Sequence, residues 1–288
     1  RHAPERAPAS PKIGVLRGIR VVELGAEGAL ARVQADDRTE ELQRKVDALT
    51  AELAAARHTR GPALAFDLAA IDGRLADRGL DAGGLHEFAA ASASLNDDAA
   101  ATLFLAGIAA RFANQPGFNV FWAVTAFDLY APGLEQVGLG PEKLLYAQGR
   151  KDVEVLAMAA DALRDGELAC VIGEGEAADM TATRRLQLAA CDGQTPILLY
   201  RRHRARERCP LSAPSSAMTR WRIGCLASER LPWPGVGRPR WQVELVRQRN
   251  GDPFSLELEA CDAKGRLALP AATADRTAAQ ERAISHAA

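Results

Sequence analysis

Between about residue 63 and residue 217, short apolar runs alternate with longer stretches whose apolar residues recur every three or four positions. The runs "LHEFAA" (85–90), "NVFWAVT" (119–125), "KLLYAQ" (143–148), "LACVIG" (168–173) and "PILLYR" (196–201) read as strands. The stretches between them predict helices near 97–113, 153–164 and 180–191. From residue 218 the rhythm changes. "TRWRIGCLAS", "RWQVELVRQR" and "PFSLELEACD" are three β-rich runs joined by the turn sequences "PWPGVGRP" and "NGDP". The expected fold is therefore α/β, with a central, mostly parallel sheet flanked by helices and a C-terminal antiparallel β extension.

The two ends follow other patterns. In "DRTEELQRKVDALTAELAAARH" the residues Leu42, Val46, Leu49 and Leu53 are spaced by four, three and four, with Glu40 and Glu41 near the start and Arg57 and His58 near the end. This is an amphipathic N-terminal helix over about 38–57, whose leucine face docks either on the protein's own core or on a partner. A short strand is expected in "GIRVVEL" (18–24). The "RGP" break at Arg60–Pro62 divides an N-terminal extension, residues 1–60, from a core over 61–270. Residues 271–288, "AATADRTAAQERAISHAA", have no second apolar face and are expected to form a mobile tail.

Charge changes this picture more than composition does. Across 288 residues the net charge is −1, yet between Arg201 and Arg249 twelve arginines stand against Glu207, Glu229 and Glu244, an excess of nine. Such a field attracts polyanions, and arginine binds phosphate bidentately and stacks on bases. The five cysteines, Cys170, Cys191, Cys209, Cys225 and Cys261, form no C-x-x-C pair, so neither a zinc site nor a disulfide framework is indicated. No stretch approaches the length of a membrane span and no signal-peptide core follows "RHAPERAPASPK", so a cytoplasmic protein is expected.

Residues 85–113 have the strand–loop–helix order of a phosphate-binding loop, but lack the glycines and lysine that grip a phosphate. Asn96, Asp97 and Asp98 read instead as an N-cap with favourable first-turn charge, a metal site from the same acids being the weaker alternative. Gly173-x-Gly175-x-x-Ala178 has the outline of a dinucleotide fingerprint, but Glu174 and Glu176 would face a pyrophosphate with like charge. Trp221 alternates as a half-buried strand residue rather than a base-stacking platform, whereas Trp233, between prolines, is a candidate partner anchor. No nucleophile-elbow or Cys/His motif is found.

The order of motifs from Phe66 to Leu269 resembles the RecA-type core and, more closely, the ImuA family. It is carried by "FDLAAIDGRLADRGLDAGGLHEFAA", by "FWAVTAFDLYAPGLEQVGLGPEKLLYAQGRKDVEVLAMAADALRDGELACVIGE", and by "ADMTATRRLQLAA", "SSAMTRWRI" and "GRPRWQVELVRQRNGDP". The resemblance implies a role in damage-induced (SOS) mutagenesis and translesion DNA synthesis. The partners it implies are an ImuB-like polymerase-related protein and an error-prone DNA polymerase III alpha-type subunit. The RecA-like shape suggests RecA and single-stranded DNA as well, with nucleoid association when engaged. Carried over by position, the phosphate loop falls on Ala89–Thr102, where Asn96, Asp97, Ala100 and Thr102 are degenerate and no lysine stands. The water-polarising residue falls near Ala126, with Asp128 close by, and the magnesium-orienting acid falls on Glu174. A non-catalytic protein without a cofactor is expected. In RecA-like proteins the loop after the fifth core strand lies against DNA, which nominates Arg201, Arg202, Arg204, Arg206, Arg208, Arg220 and Arg222. Two alternatives stay open: a divergent nucleotide-binding ATPase of DNA repair, and a protein-only adaptor that never touches DNA.

Overall fold

The structure is a computed structural model that describes residues 13–16, 19–22, 41–48, 63–114, 119–175, 178–203, 209–228, 231 and 233–270. The chain separates into two units, Arg1–Thr59 and Arg60–Ala288. The first contains a hairpin of β1 (Ile13–Leu16) and β2 (Ile19–Val22), with Ile13 opposite Val22, and a helix, α1, at residues 41–48. On α1, Leu42 and Val46 of the predicted apolar stripe are 58% and 53% exposed. Leu49 and Leu53 lie outside the described residues, as does the tail from 271.

The second unit holds an eight-stranded sheet in the order β10-β9-β8-β3-β7-β6-β4-β5. Its strands are β3 (Leu85–Ala90), β4 (Val120–Val124), β5 (Leu144–Gln148), β6 (Cys170–Glu174), β7 (Ile197–Tyr200), β8 (Thr219–Leu226), β9 (Arg240–Gln248) and β10 (Phe254–Glu259). β8, β3, β7, β6, β4 and β5 run parallel, β9 pairs antiparallel with β8, and β10 pairs antiparallel with β9. This is the mixed α/β architecture expected, consistent with a RecA-like core. Each predicted strand forms within three residues of its expected ends.

Two apolar layers hold the sheet. On one face lies α3 (Leu95–Phe112), whose Ala100, Ala101, Phe104, Leu105, Ala106, Ala109 and Ala110 are buried. Phe104 reaches into an aromatic group, its ring centroid 6.1 Å from Phe88, 6.3 Å from Trp221 and 6.0 Å from Trp241. Trp221 is fully buried and touches Phe66 and Phe254 too, so it is a core residue with no free face for a base. Small residues let α3 approach closely: a Cβ on Gly107 would collide with the Cys261 sulfur. On the other face, α5 (Asp152–Asp165) and α6 (Met180–Gly193) cover Leu85, Val171, Ile197 and Leu199.

Two short helices were not predicted. α2 (Ala69–Asp72) is held by its own Asp72, which accepts from the Phe66 and Leu68 amides at 2.7 and 3.0 Å. α4 (Ala131–Gln136) starts at "APG", where Pro132 is compatible with the first turn of a helix although Pro-Gly reads locally as a turn. Because β3, β4, β6 and β7 are parallel, the segments that follow them emerge along one edge of the sheet.

Candidate functional site

At that edge β3 turns into α3 through only four residues, Ala91–Ser94. The helix N-cap is Ser94, whose side chain accepts from the Asp97 amide at 3.2 Å. Asn96 is therefore exposed on the first turn and is not the cap expected from the sequence. Asp97 is pinned outside the helix axis: it accepts from the Ser92 hydroxyl at 2.5 Å and from the Cys225 amide at 2.7 Å. Desolvation raises the Asp97 pKa, but these bonds outweigh it and hold the carboxyl below its usual value. Ala100 is buried and Thr102 half-buried further along the helix.

The centre of the edge is an ion-pair network around Arg202, just beyond β7. Its Nε donates to Glu174 at 2.6 Å, one terminal nitrogen to Asp98 at 3.1 Å and the other to Asp128 at 3.2 Å. The guanidinium carbon lies 5.3 Å from the Tyr200 ring centroid. The Tyr200 hydroxyl donates to Asp98 at 2.6 Å, and the Trp122 indole N–H donates to Glu174 at 2.8 Å. Glu174 is 4% exposed. Burial pushes its carboxyl above the usual range, while Arg202 and Trp122 pull the other way. Burial works against the Arg202 charge, but Glu174, Asp98 and Asp128 together hold its proton more tightly than usual. Burial and the Asp98 carboxylate likewise raise the Tyr200 hydroxyl.

Asp98, Glu174 and Asp128 thus meet around a cation supplied by the chain itself. A nucleotide at this edge would approach a helix N-terminus already occupied by Asp97 and Asp98, over a loop without a lysine. Among the described residues no group of three or more His, Cys, Asp or Glu side chains is arranged to hold a metal ion.

A second buried cluster corrects two of the nominated DNA contacts. Glu87 of β3 is 0% exposed and bridges Arg201 (3.0 Å) and Arg220 (2.7 Å). The Ser215 hydroxyl donates to Glu87 at 2.8 Å, and Arg220 donates to the Ala213 carbonyl at 2.9 Å. Arg201 and Arg220 are 3% and 5% exposed, so they clamp the two stems of the 201–220 loop to β3 instead of facing a ligand. Arg222 is paired with Glu244 on β9 at 2.9 Å through its Nε. Arg202 is the internal cation described above. Arg204, Arg206 and Arg208 lie outside the described residues. The sequence reading missed Glu87, Ser215, Tyr200 and Trp122 altogether. The available signal was Glu87 itself, a lone acid inside the apolar run "LHEFAA".

The class this defines is a mixed α/β protein whose mostly parallel sheet carries, at the edge where β3, β4, β6 and β7 end, three carboxylates tied to one guanidinium. No protein-family model matches the chain. Over 215 residues it is 36% identical to Protein ImuA of Caulobacter vibrioides, from strain NA1000 / CB15N and equally from strain ATCC 19089 / CIP 103742 / CB 15. Each match covers 73% of this chain and 88% of the relative. The chain belongs to the ImuA family. Among solved structures, that of SulA from Pseudomonas aeruginosa matches 41% of this chain and 98% of its own, at 24% identity and a TM-score of 0.36. Among the described residues no helix is long and apolar enough to cross a membrane.

Proposed function

We propose that this chain is a non-catalytic, RecA-like accessory protein of damage-induced translesion synthesis and mutagenesis, acting through protein and DNA contacts. Membership of the ImuA family supports the mutagenesis context. The observation that carries the non-catalytic part is Arg202: it neutralises Asp98, Asp128 and Glu174, the carboxylates that a nucleotide-bound metal would need. Equilibrium binding of labelled ATP with magnesium tests this. No saturable binding is expected up to millimolar nucleotide, and micromolar binding that is lost on Glu174→Ala overturns the reading in favour of a divergent ATPase.

The DNA contact rests on Arg204, Arg206 and Arg208, because the other nominated arginines have internal partners. Substituting all three with Ala is expected to weaken binding to a labelled single strand and to reduce its salt slope by about two to three. An unchanged affinity and slope favours the second reading, a protein-only adaptor, which the pairing of Arg201, Arg202, Arg220 and Arg222 already supports. In either case the partners we infer are an ImuB-like protein, the error-prone polymerase subunit and RecA. A pull-down from DNA-damaged cells that retains none of them argues against the whole assignment.

A further inference from the structure

Among the described residues of the second unit, six large apolar side chains are 60–89% exposed: Leu95, Phe127, Tyr130, Val153, Trp233 and Val236. All six stand where the chain leaves the carboxyl ends of the parallel strands. Leu95 opens α3 after β3, Phe127 and Tyr130 follow β4, and Val153 lies in the first turn of α5 after β5. Trp233 and Val236 belong to the loop between β8 and β9, and because β8 runs parallel to β3 that loop leaves at the same edge. In the sheet order β8 and β5 are five strand spacings apart, so the arc is about 24 Å across. Apolar residues on the surface of a monomer are normally scattered singly, and their collection on one edge marks a face that another molecule covers.

The centre of the arc decides what covers it. Asp97, Asp98, Asp128 and Glu174 stand there against Arg202, so among the described residues the centre is net negative. Asp128 is the most open of these acids, its side chain 51% exposed. Arg202 donates to its Oδ1 at 3.2 Å, and Oδ2 has no partner among the described residues. Phe127 precedes Asp128 and Tyr130 stands two residues after it; the Phe127 ring is braced by Tyr146, their centroids 4.7 Å apart. An open carboxylate oxygen beside exposed aromatic rings is a receptor for a lysine or arginine, since the oxygen takes an N–H group and the rings attract the charge. The same acids repel a phosphate backbone.

We propose that the carboxyl edge of the sheet docks a partner protein, the six apolar side chains surrounding one Lys or Arg of the partner that is held at Asp128. The apolar arc gives affinity and the acidic centre gives selectivity. The inference rests on the reading of this chain as a protein that acts by contact, and it specifies where a protein partner sits and what that partner carries.

Selection of random dodecapeptides displayed on phage against the full chain, followed by anisotropy with the labelled winners, tests it. The expected winners place a Lys or Arg between apolar side chains. Their dissociation constants should rise roughly tenfold or more with Asp128→Asn, with Tyr130→Ala and with Trp233→Ala. Replacing the basic residue of the peptide by Met should do the same without altering the protein. The affinities are measured without nucleotide, so they are read independently of the ATP titration that tests the non-catalytic assignment. Absence of enrichment, or winners indifferent to these changes, overturns the proposal. So does binding of a labelled single strand that Tyr130→Ala and Trp233→Ala weaken, since the surface then belongs to nucleic acid. Sedimentation showing self-association of the chain that Phe127→Asp abolishes overturns it too, since the occupant is then a second copy.

Discussion

Glu87→Gln isolates what the buried arginines do. The carboxylate has no solvent contact and receives Arg201 and Ser215 on one oxygen, at 3.0 and 2.8 Å, and Arg220 on the other, at 2.7 Å. Glutamine preserves the shape but removes the charge opposite two guanidinium groups. It must also either turn an amide N–H₂ toward a donor already in contact or abandon Ser215. Leaving buried charge uncompensated costs about 3–5 kcal/mol. That is a fifth or more of the roughly 5–15 kcal/mol that stabilises a typical domain. At about 2–4 °C per kcal/mol for a unit of this size, Tm should fall by roughly 6–20 °C. Urea unfolding followed by far-UV circular dichroism measures the loss. A loss below about 1 kcal/mol would refute the claim that Arg201 and Arg220 are structural clamps and return them to the list of surface cations. Single-strand affinity of the still-folded fraction should change little.

Three further outcomes follow from the same geometry. Arg202→Met leaves Glu174 buried without its cation, which raises the acid's folded pKa further. A raised acid binds more protons folded than unfolded, so stability falls as pH rises from 4.5 through that raised value; the variant should lose more against the parent at pH 8 than at pH 5, and Glu174→Gln should flatten the difference. Asp97 has the opposite sign: its folded pKa is lowered, so its contribution is complete above 3.8 and disappears as pH falls through the folded value, and Asp97→Asn should give a shallower urea-midpoint decline between pH 5 and pH 3. Gly193→Ala drives a methyl into the Leu163 carbonyl where α5 and α6 meet, and should cost about 1–3 kcal/mol in the same unfolding assay.

The strands were legible because parallel strands covered on both faces are short, continuous apolar runs, and turn residues bracket each of them. The Arg202 network was not. Local pattern places Asp98, Glu174 and Asp128 on strand-end segments, which the parallel topology then brings to one edge, but it cannot show that a residue 104 positions away from Asp98 closes them. The arginines illustrate the difficulty most sharply. In "PILLYRRHR" the consecutive residues Arg201 and Arg202 leave the same strand, and strand alternation sends them to opposite sides. Arg201 goes to Glu87 on β3, and Arg202 goes to the three acids at the sheet edge. Composition counted both as surface charge.

That division also bears on how the sheet keeps its shape at an edge crowded with acids. In a nucleotide-binding protein, anion and metal neutralise the charged groups at the carboxyl edge of the strands. Here the acids remain at the edge and would repel one another, so the fold needs a fixed cation there. Arg202 supplies it from just beyond β7, which lies between β3 and β6, so the carboxylate that ends β6 and the two that follow β3 and β4 are tied to one side chain. A nucleotide would have to displace Arg202 before gaining any metal contact, so sequence changes that merely restore glycines and a lysine to residues 91–98 should leave ATP binding undetectable unless Arg202 is removed as well. Titration of labelled ATP into the restored loop with Arg202 retained decides this, and saturable binding there refutes the argument.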